Sequence, residues 1–381
     1  RGPSIATAGP GWRSSAALGL AALREARRSA DPTWYPRAER ALRRSLALRE
    51  EGNVDALVGM GVLALARHDF EEALQWGRRA RAVSPFDAEA RGVIGDALVE
   101  LGRYRGAARA IQAMVDLRPG LSSYARVSYL RELTGDVAGA TSAMRRAVRF
   151  AATPEDAAWT STQLGDLYFG AGRLLHAKRA YRDGRAQDPG SVLPRIGLAR
   201  VAAARGDLAR AARMLASVAR RYPAPETVML LTEVQVAAGD QTGATESTAL
   251  VRAMDRLARS AEVDTDLEMA LFFADHGLDG ALERARAAYR SRPNVAAADA
   301  LAWALSEEGR HRAAAQLTRE ALGLGTQSAL FHFHAGMIAF RLGRTDQARD
   351  FLDEALTINP HFSPVHAPKA RRVLERLEAP S

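Results

Sequence analysis

Histidine is the one residue type with metal-binding chemistry that is concentrated in part of this chain. Four of the eight histidines fall near the C-terminus, at His332, His334, His361 and His366. Imidazole nitrogens suit zinc or nickel. Residues two apart on a helix point in directions about 200° apart, however, so His332 and His334 cannot both face one ion. We therefore predict structural roles for these side chains, with a metal-handling accessory protein as an alternative.

Other catalytic chemistry has few candidates. Cysteine is absent, and lysine occurs only at Lys178 and Lys369, outside any glycine-rich phosphate loop. Gly59–Ala64 matches a G-x-G-x-x-A dinucleotide string but follows no strand pattern. The carboxylates of Asp264 and Asp266 open a predicted helix, where acids simply favour the helix dipole. We predict no catalytic residue, no cofactor and no resident metal, and hence a protein that is not an enzyme.

Arginine supplies most of the positive charge. The 53 basic residues outnumber the 44 acidic ones, giving a net charge of +9. Such a surface could bind nucleic acid or anionic lipid. The runs are spread along the chain without interleaved aromatic residues, which favours a solvated outer face and makes nucleic acid an unlikely partner. They are Arg78–Arg81, Arg145–Arg149, the set Arg179, Arg182 and Arg185, and the set Arg284, Arg286 and Arg290.

These residues are carried by a repeat. Alanines within helical patterns recur every 33–37 residues, with a glycine five residues before seven of them and a proline twelve residues after six. A glycine there suits a chain that leaves one helix with positive φ, the alanine suits close helix contact, and the proline ends the second helix. Each unit is therefore predicted to be a pair of antiparallel helices. The alanines are Ala38, Ala73, Ala107, Ala140, Ala177, Ala211, Ala244, Ala281, Ala314 and Ala348.

The repeat resembles the tetratricopeptide repeat family, whose pattern is W-x₂-L-G-x₂-Y, then A-x₃-F, then P. The best copy has Leu164-Gly165 and Tyr168, then Ala177 and Tyr181, then Pro189. The resemblance implies an all-α, right-handed superhelical solenoid of about ten helix pairs over residues 14–362. Residues 1–13 are predicted to form a flexible lead-in, and residues 363–381 a capping helix and tail.

The resemblance also implies a binding surface, because five positions on each first helix line the concave face in this family. Carried over to this chain, those positions hold many acids and aromatics, and Arg200 and Arg341 are their only basic residues. We expect a non-catalytic scaffold whose groove binds a protein or peptide bearing basic and apolar residues. The expected groove residues are Asp96, Glu100, Tyr129, Glu132, Trp159, Asp166, Phe169, Glu233, Asp299, Trp303, Glu307 and Phe333.

The sequence says less about the cellular compartment and the oligomeric state than about the fold. No run of about 18 apolar residues occurs, so no transmembrane segment is predicted in this chain. Residues 31–46 and 359–368 are similar to segments of exported tetratricopeptide proteins of high-GC bacteria. This similarity slightly favours an exported protein, with a cytoplasmic location as the alternative. The sequence does not predict the oligomeric state.

Overall fold

A computed structural model describes residues 11–378, which form 21 α-helices and one short 3-10 helix and contain no strand. Residues 1–10, the greater part of the expected lead-in, and residues 379–381 lie outside the described range. The first helix begins at Trp12, two residues before the expected boundary. The Trp12 carbonyl accepts a 2.6 Å hydrogen bond from Ser45 Oγ, and the Arg13 and Arg49 guanidinium groups lie 4.7 and 4.8 Å from the Trp12 ring. These contacts fix the helix start.

The helices alternate along ten units. The first helices of units 1–10 are α1 Trp12–Ser29, α3 Val54–Ala66, α5 Ala88–Glu100, α7 Leu121–Leu133, α9 Pro154–Gly170, α11 Leu193–Ala204, α13 Pro225–Ala238, α15 Asp266–Asp275, α17 Val295–Glu307 and α19 Ala329–Arg341. The second helices are α2 Tyr35–Leu48, α4 Phe70–Val83, α6 Tyr104–Leu117, α8 Val137–Arg149, α10 Leu174–Gln187, α12 Leu208–Ala219, α14 Gln241–Ser260, α16 Ala281–Ser291, α18 His311–Ala321 and α20 Thr345–Ile358. The 3-10 helix Pro32–Trp34 lies between α1 and α2, and α21 His366–Glu378 follows unit 10.

The recurrent residues have the conformations that the repeat predicts. All ten alanines are buried, eight of them with no exposed surface. All seven glycines five residues earlier have positive φ, between 68° and 84°. In several units an aspartate follows this glycine and caps the second helix; Asp136 accepts from the Gly139 amide and Asp240 from the Gly243 amide. Local sequence therefore specifies each helix–turn–helix unit.

The two helices of a unit differ in how they are buried. First helices such as α17 are buried on nearly every face, whereas second helices such as α18 bury one stripe and expose the rest. First helices therefore form the inner layer of an all-α solenoid, and second helices its outer layer. Residue Tyr181 of α10 reaches inward between Gly165 and Gly197, where a Cβ on either glycine would collide with its ring.

Contacts between residues far apart in sequence join successive superhelical turns. The Asn294 Nδ2 group donates to the carbonyl of Glu100 at 2.9 Å, 194 residues away, and the Asn359 Nδ2 group donates to the carbonyl of Phe169 at 2.8 Å, 190 residues away. The hydroxyl of Thr326 donates to the carbonyl of Leu133 at 2.5 Å. Each accepting carbonyl lies at the C-terminal end of a first helix, where backbone acceptors lack helical partners.

These contacts follow one rule, and we call the surface they form the seam. For units 1–4, the turn between the helices of unit n meets the loop that enters unit n+6, and the turn of unit 5 meets the segment that follows unit 10. At unit 2, the Asp264 amide donates to the carbonyl of Arg67 at 2.9 Å, and Arg67 bridges Glu39 and Glu262 at 2.7 and 3.0 Å. At unit 3, a Cβ on Gly102 would collide with the carbonyl of Pro293. Six units therefore complete one turn, and the turns are in direct contact.

The small side chain at the centre of each unit gives a first prediction. Replacing Ala177 with leucine should lower the free energy of unfolding by about 1–3 kcal/mol, because its site has no exposed surface and packs beside Tyr181. Urea denaturation measures the effect. The control is Ala138→Leu at an exposed position of α8. Equal stability of the two variants would contradict the close helix contact.

The seam gives a second prediction. Replacing Thr326 with valine keeps the side-chain shape but removes the donor to the carbonyl of Leu133, so the free energy of unfolding should fall by about 1–2 kcal/mol. Thr345→Val, at the exposed first residue of α20, which makes no seam contact within the described chain, is the matched control. A thermal melt in which both variants match the parent chain would argue against a seam that contributes to stability.

Candidate functional site

The inner surface of the solenoid faces a space that we call the lumen. First helices line it, and the seam joins the wall of the first turn to the wall of the second. Partly exposed side chains in the lumen have protein on most sides, and burial raises the pKa values of several of them even though water reaches them. Tyr129 illustrates this: it is 46% exposed, yet burial and the neighbouring Glu100 raise the pKa of its phenol.

Acidic groups from consecutive first helices meet in the part of the lumen formed by units 3–6. The Asp96 carboxylate on α5 pairs with Arg126 on α7 at 2.7 Å. The Tyr129 hydroxyl donates to Glu100 Oε1 at 3.3 Å. Farther along, Asp166 on α9 accepts from Arg200 at 2.7 Å and from the Tyr181 hydroxyl at 2.8 Å.

Burial shifts the pKa values of three of these acids upward. Burial raises the pKa of Glu100 in spite of the opposing charge of Arg292, and it raises the pKa of Asp166 in spite of Arg200. The third of these acids is Glu132. Burial, followed by repulsion from Asp166, raises its pKa to about 7, and no hydrogen bond or ion pair to its carboxylate occurs within residues 11–378. Glu132 is thus a partly buried acid without a cationic partner in the described chain.

Three of the four expected groove residues of units 9 and 10 line no open surface. Asp299, Trp303 and Phe333 are 2%, 1% and 0% exposed. The Asp299 carboxylate lies 2.9 Å from His334 Nδ1, and the Trp303 indole donates to Asp275 at 2.8 Å. The groove expectation is corrected here: these positions belong to the core, because the C-terminal part of the same chain covers them.

We call this covering part the plug; it consists of residues 359–366 and α21. The Ser363 hydroxyl donates to Glu233 Oε1 at 2.6 Å, and His366 Nε2 lies 3.2 Å from Asp275 on α15, the opposite side of the superhelical turn. The His366 ring also stacks on Phe333 with centroids 4.7 Å apart. The plug therefore bridges the walls of the lumen at its C-terminal end.

The plug changes the pKa values of the acids it contacts in opposite directions. Burial raises the pKa of Glu233, and the hydrogen bond from Ser363 offsets only part of that rise. Burial would also raise the pKa of Asp275, but the hydrogen bond and charge of His366 outweigh it and leave that pKa below its usual value. The contact between His366 and Asp275 therefore holds the plug against the wall.

The remaining expected residues have mixed surroundings. Phe169 is buried beneath the Arg200 guanidinium, which lies 4.2 Å from its ring centroid. Glu307 is exposed and pairs with Arg341 at 2.7 Å. Trp159 is half-buried. The structure thus brings Asp96, Glu100, Tyr129, Glu132, Asp166 and Phe169 together, and it separates them from the covered residues of units 9 and 10.

The sequence did not predict Arg126, Asp275 and Ser363 as residues of this surface, and it named His366 only for a structural role or a metal site. Arg126 neutralises Asp96 but stands outside the five family positions, so the lumen is less acidic than expected. Asp275, Ser363 and His366 join the plug to the wall. One feature of the sequence could have predicted the plug. Residues 359–378 contain basic and aromatic side chains, as a ligand of an acidic groove would.

The described residues do not support the two alternatives, a metal site formed by histidines and a nucleic-acid or lipid surface formed by arginines. His332 Nδ1 lies 2.8 Å from the Ser328 carbonyl of its own helix, and His334 and His366 each pair with an aspartate. No group of three or more metal-ligating side chains suited to an ion occurs within residues 11–378. Most of the arginine runs are exposed on second helices, although Arg284 turns inward to Asp255 at 2.7 Å. Over the same residues, no helix is long and apolar enough to cross a membrane.

Glu132 gives a third prediction. Because the folded-state pKa of Glu132, about 7, lies above the ordinary value for a glutamate, the stability that is present at low pH is lost as pH rises through about 7. Glu132→Gln should therefore match the parent chain near pH 4 and exceed its stability by about 1–3 kcal/mol near pH 8. Urea denaturation across this pH range tests it, with the exposed Glu246→Gln as control. A constant difference at all pH values would contradict the raised pKa.

Comparison with known proteins agrees with this architecture. One tetratricopeptide repeat family model matches residues 35–88, 93–157 and 300–361. A second tetratricopeptide repeat family model matches residues 168–234. The chain is 26% identical over 235 residues to cellulose synthase 1 operon protein C of Komagataeibacter xylinus, covering 61% of this chain but only 16% of that protein.

Solved structures with similar folds include a thermophilic tetratricopeptide protein of Thermus thermophilus, with 20% identity and a TM-score of 0.45 over 50% of this chain and 98% of that one. The APC/C hetero-tetramer Cut9–Hcn1 is similar over 90% of this chain and 60% of that one, with 17% identity and a TM-score of 0.47. The matched repeats and the helix pairs that carry them identify the chain as a member of the tetratricopeptide repeat family, whose arrays generally serve as non-catalytic scaffolds for protein–protein interaction.

Proposed function

We propose that the lumen of units 3–6 binds an extended segment of another protein, and that this segment carries arginine or lysine together with apolar side chains. One observation carries the proposal: Glu132 is a partly buried carboxylate with no cationic partner among the described residues. A guanidinium or ammonium group from a ligand would stabilise its charged form, which the lumen otherwise disfavours. The neighbouring Tyr129, 46% exposed, offers an aromatic ring and a hydroxyl beside it.

The plug supports this choice of ligand chemistry, because it is a segment of the same chain that already lies on the lumen wall. Lys369 Nζ lies 6.0 Å from the Trp303 ring centroid, and the Arg376 guanidinium lies 5.6 Å from that of Phe340. The Phe362 ring packs 5.7 Å from Phe333. A partner with similar basic and apolar residues would find matching groups in the uncovered units.

The structure also decides which acids are suitable for testing. Asp96 and Asp166 are each held by an arginine, so a lysine at either position would place two cations together and disturb the wall itself. Glu132 has no such partner among residues 11–378, and its replacement leaves the neighbouring ion pairs intact. Glu132→Lys is therefore a sharper test of binding than a lysine substitution at Asp96 or Asp166.

A fourth prediction concerns a labelled twelve-residue peptide of alternating arginine and leucine. It should bind the parent chain and bind Glu132→Lys about tenfold or more weakly, with a smaller dependence on salt concentration. Fluorescence anisotropy measures both. Glu246→Lys on the outer surface is the matched control and should bind like the parent chain.

The same assay distinguishes the competing surface. A peptide with glutamate in place of arginine should not bind in the lumen. Stronger binding of that peptide or of a DNA duplex, or equal binding of the arginine peptide by all three proteins, would contradict the lumen proposal and favour the outer arginines.

A further inference from the structure

The seam uses only half of the edges that the superhelix presents. It pairs the turns of units 1–5 with the loops that enter units 7–10 and with the start of the plug. The turns of units 6–10, which we call the turn edge, therefore face away from the seam at one end of the superhelix. The loops that enter units 2–6, which we call the loop edge, face away at the other end.

The turn glycines show this difference directly. On the seam, a Cβ on Gly135 would collide with the carbonyl of Gly325, and one on Gly172 would lie 3.2 Å from the carbonyl of Ile358. On the turn edge the backbone has the same shape, since Gly309 and Gly343 have φ values of 73° and 71°. Nothing lies within 4 Å of a Cβ built on either of them. The turn edge therefore has the backbone shape of the seam but no occupant within the described chain.

The loop edge exposes apolar side chains in register. Leu48, Val83, Leu117 and Phe150 stand ten residues after the recurrent alanine in units 1–4, and all four are exposed. Their counterparts in units 9 and 10, Leu324 and Ile358, are half-buried where the second turn meets the first. Phe86, in the loop that enters unit 3, is 82% exposed. A row of this kind on a soluble surface indicates an interface.

The turn edge offers apolar groups that correspond to groups used in the seam. In the seam, the Arg292 guanidinium lies 5.5 Å from the Phe70 ring, and the Tyr104 hydroxyl accepts from the amide of Val295 at 3.1 Å. The equivalent positions in units 6 and 8 are Leu208 and Leu278, which are partly exposed. Both edges thus combine shape and apolar surface of the kind that joins the turns within one chain.

We propose that a second copy of this chain docks head to tail, with the turn edge of one copy on the loop edge of the next, so that the superhelix continues across the two molecules. The occupant is a second copy because this chain already pairs these two edge types with itself at five successive units. The contact joins different surfaces, so it can propagate to longer assemblies. The seam is favoured because its two sides belong to one polypeptide chain. Two separate chains lack this advantage, so their association is weaker than the pairing within the seam.

Sedimentation equilibrium tests the association. The average mass of the parent chain should rise from that of one chain towards two or more between about 5 and 500 µM. Phe86→Glu with Phe150→Glu should remain monomeric over this range, whereas Leu250→Glu, at a position 45% exposed on α14, should associate like the parent. A parent chain that stays monomeric throughout, or a double variant that associates equally well, would overturn the proposal.

The orientation has its own test, because the chain contains no cysteine. Ser84→Cys marks the loop edge and Gln241→Cys the turn edge. In one molecule the two sites are separated by two first helices, or about 40 Å, so a short thiol cross-linker cannot join them.

Head-to-tail docking predicts cross-linked dimers when the two single-cysteine proteins are mixed and few when either is alone. Dimers that form mainly from one variant alone would show a symmetric contact and overturn the proposal. This test uses chains with intact edges, so it does not depend on the folding of the Phe86 and Phe150 variants.

Discussion

Pairing of the backbone carbonyls at the ends of the first-turn helices is the interaction on which the rest of the structure depends. An α-helix leaves its last carbonyls without helical partners. Here the chain supplies donors from the second turn, among them Asn294, Thr326 and Asn359. These donors can reach their acceptors only if the array completes a turn in six units. The seam thus fixes the pitch, and the pitch converts an open concave surface into an enclosed lumen.

Enclosure determines the electrostatics of the inner surface. An acid on an open groove would keep most of its hydration, whereas an acid in the lumen loses part of it and becomes harder to ionise. The chain offsets this cost for Asp96 and Asp166 with arginines from the next unit. Glu132 has no such partner among the described residues, and burial raises its pKa to about 7. The candidate site is therefore defined less by the number of acids than by the one whose charge is uncompensated.

The local part of this structure was predictable from the sequence, and the long-range part was not. The glycine, alanine and proline marks act within one helix pair, and the buried alanines and positive-φ glycines confirm their roles. The pitch of the superhelix is the sum of small rotations between successive units. No single residue determines it. The seam and plug join residues roughly 130–196 positions apart. For this reason the family positions predicted Asp299, Trp303 and Phe333 as groove residues, and the structure places them in the core.

The plug also makes the two ends of the lumen different in accessibility. Because His366 and Asp275 join opposite walls at the C-terminal end, units 8–10 contribute their inner acids and aromatics to packing within the chain. In units 3–6 the same register holds Tyr129 and Glu132, which the plug does not reach. A ligand that shares the plug's chemistry would therefore occupy the N-terminal part and be excluded from the rest by a segment that is already bound. Identical repeat positions thus differ in accessibility because one part of the surface already holds its own chain.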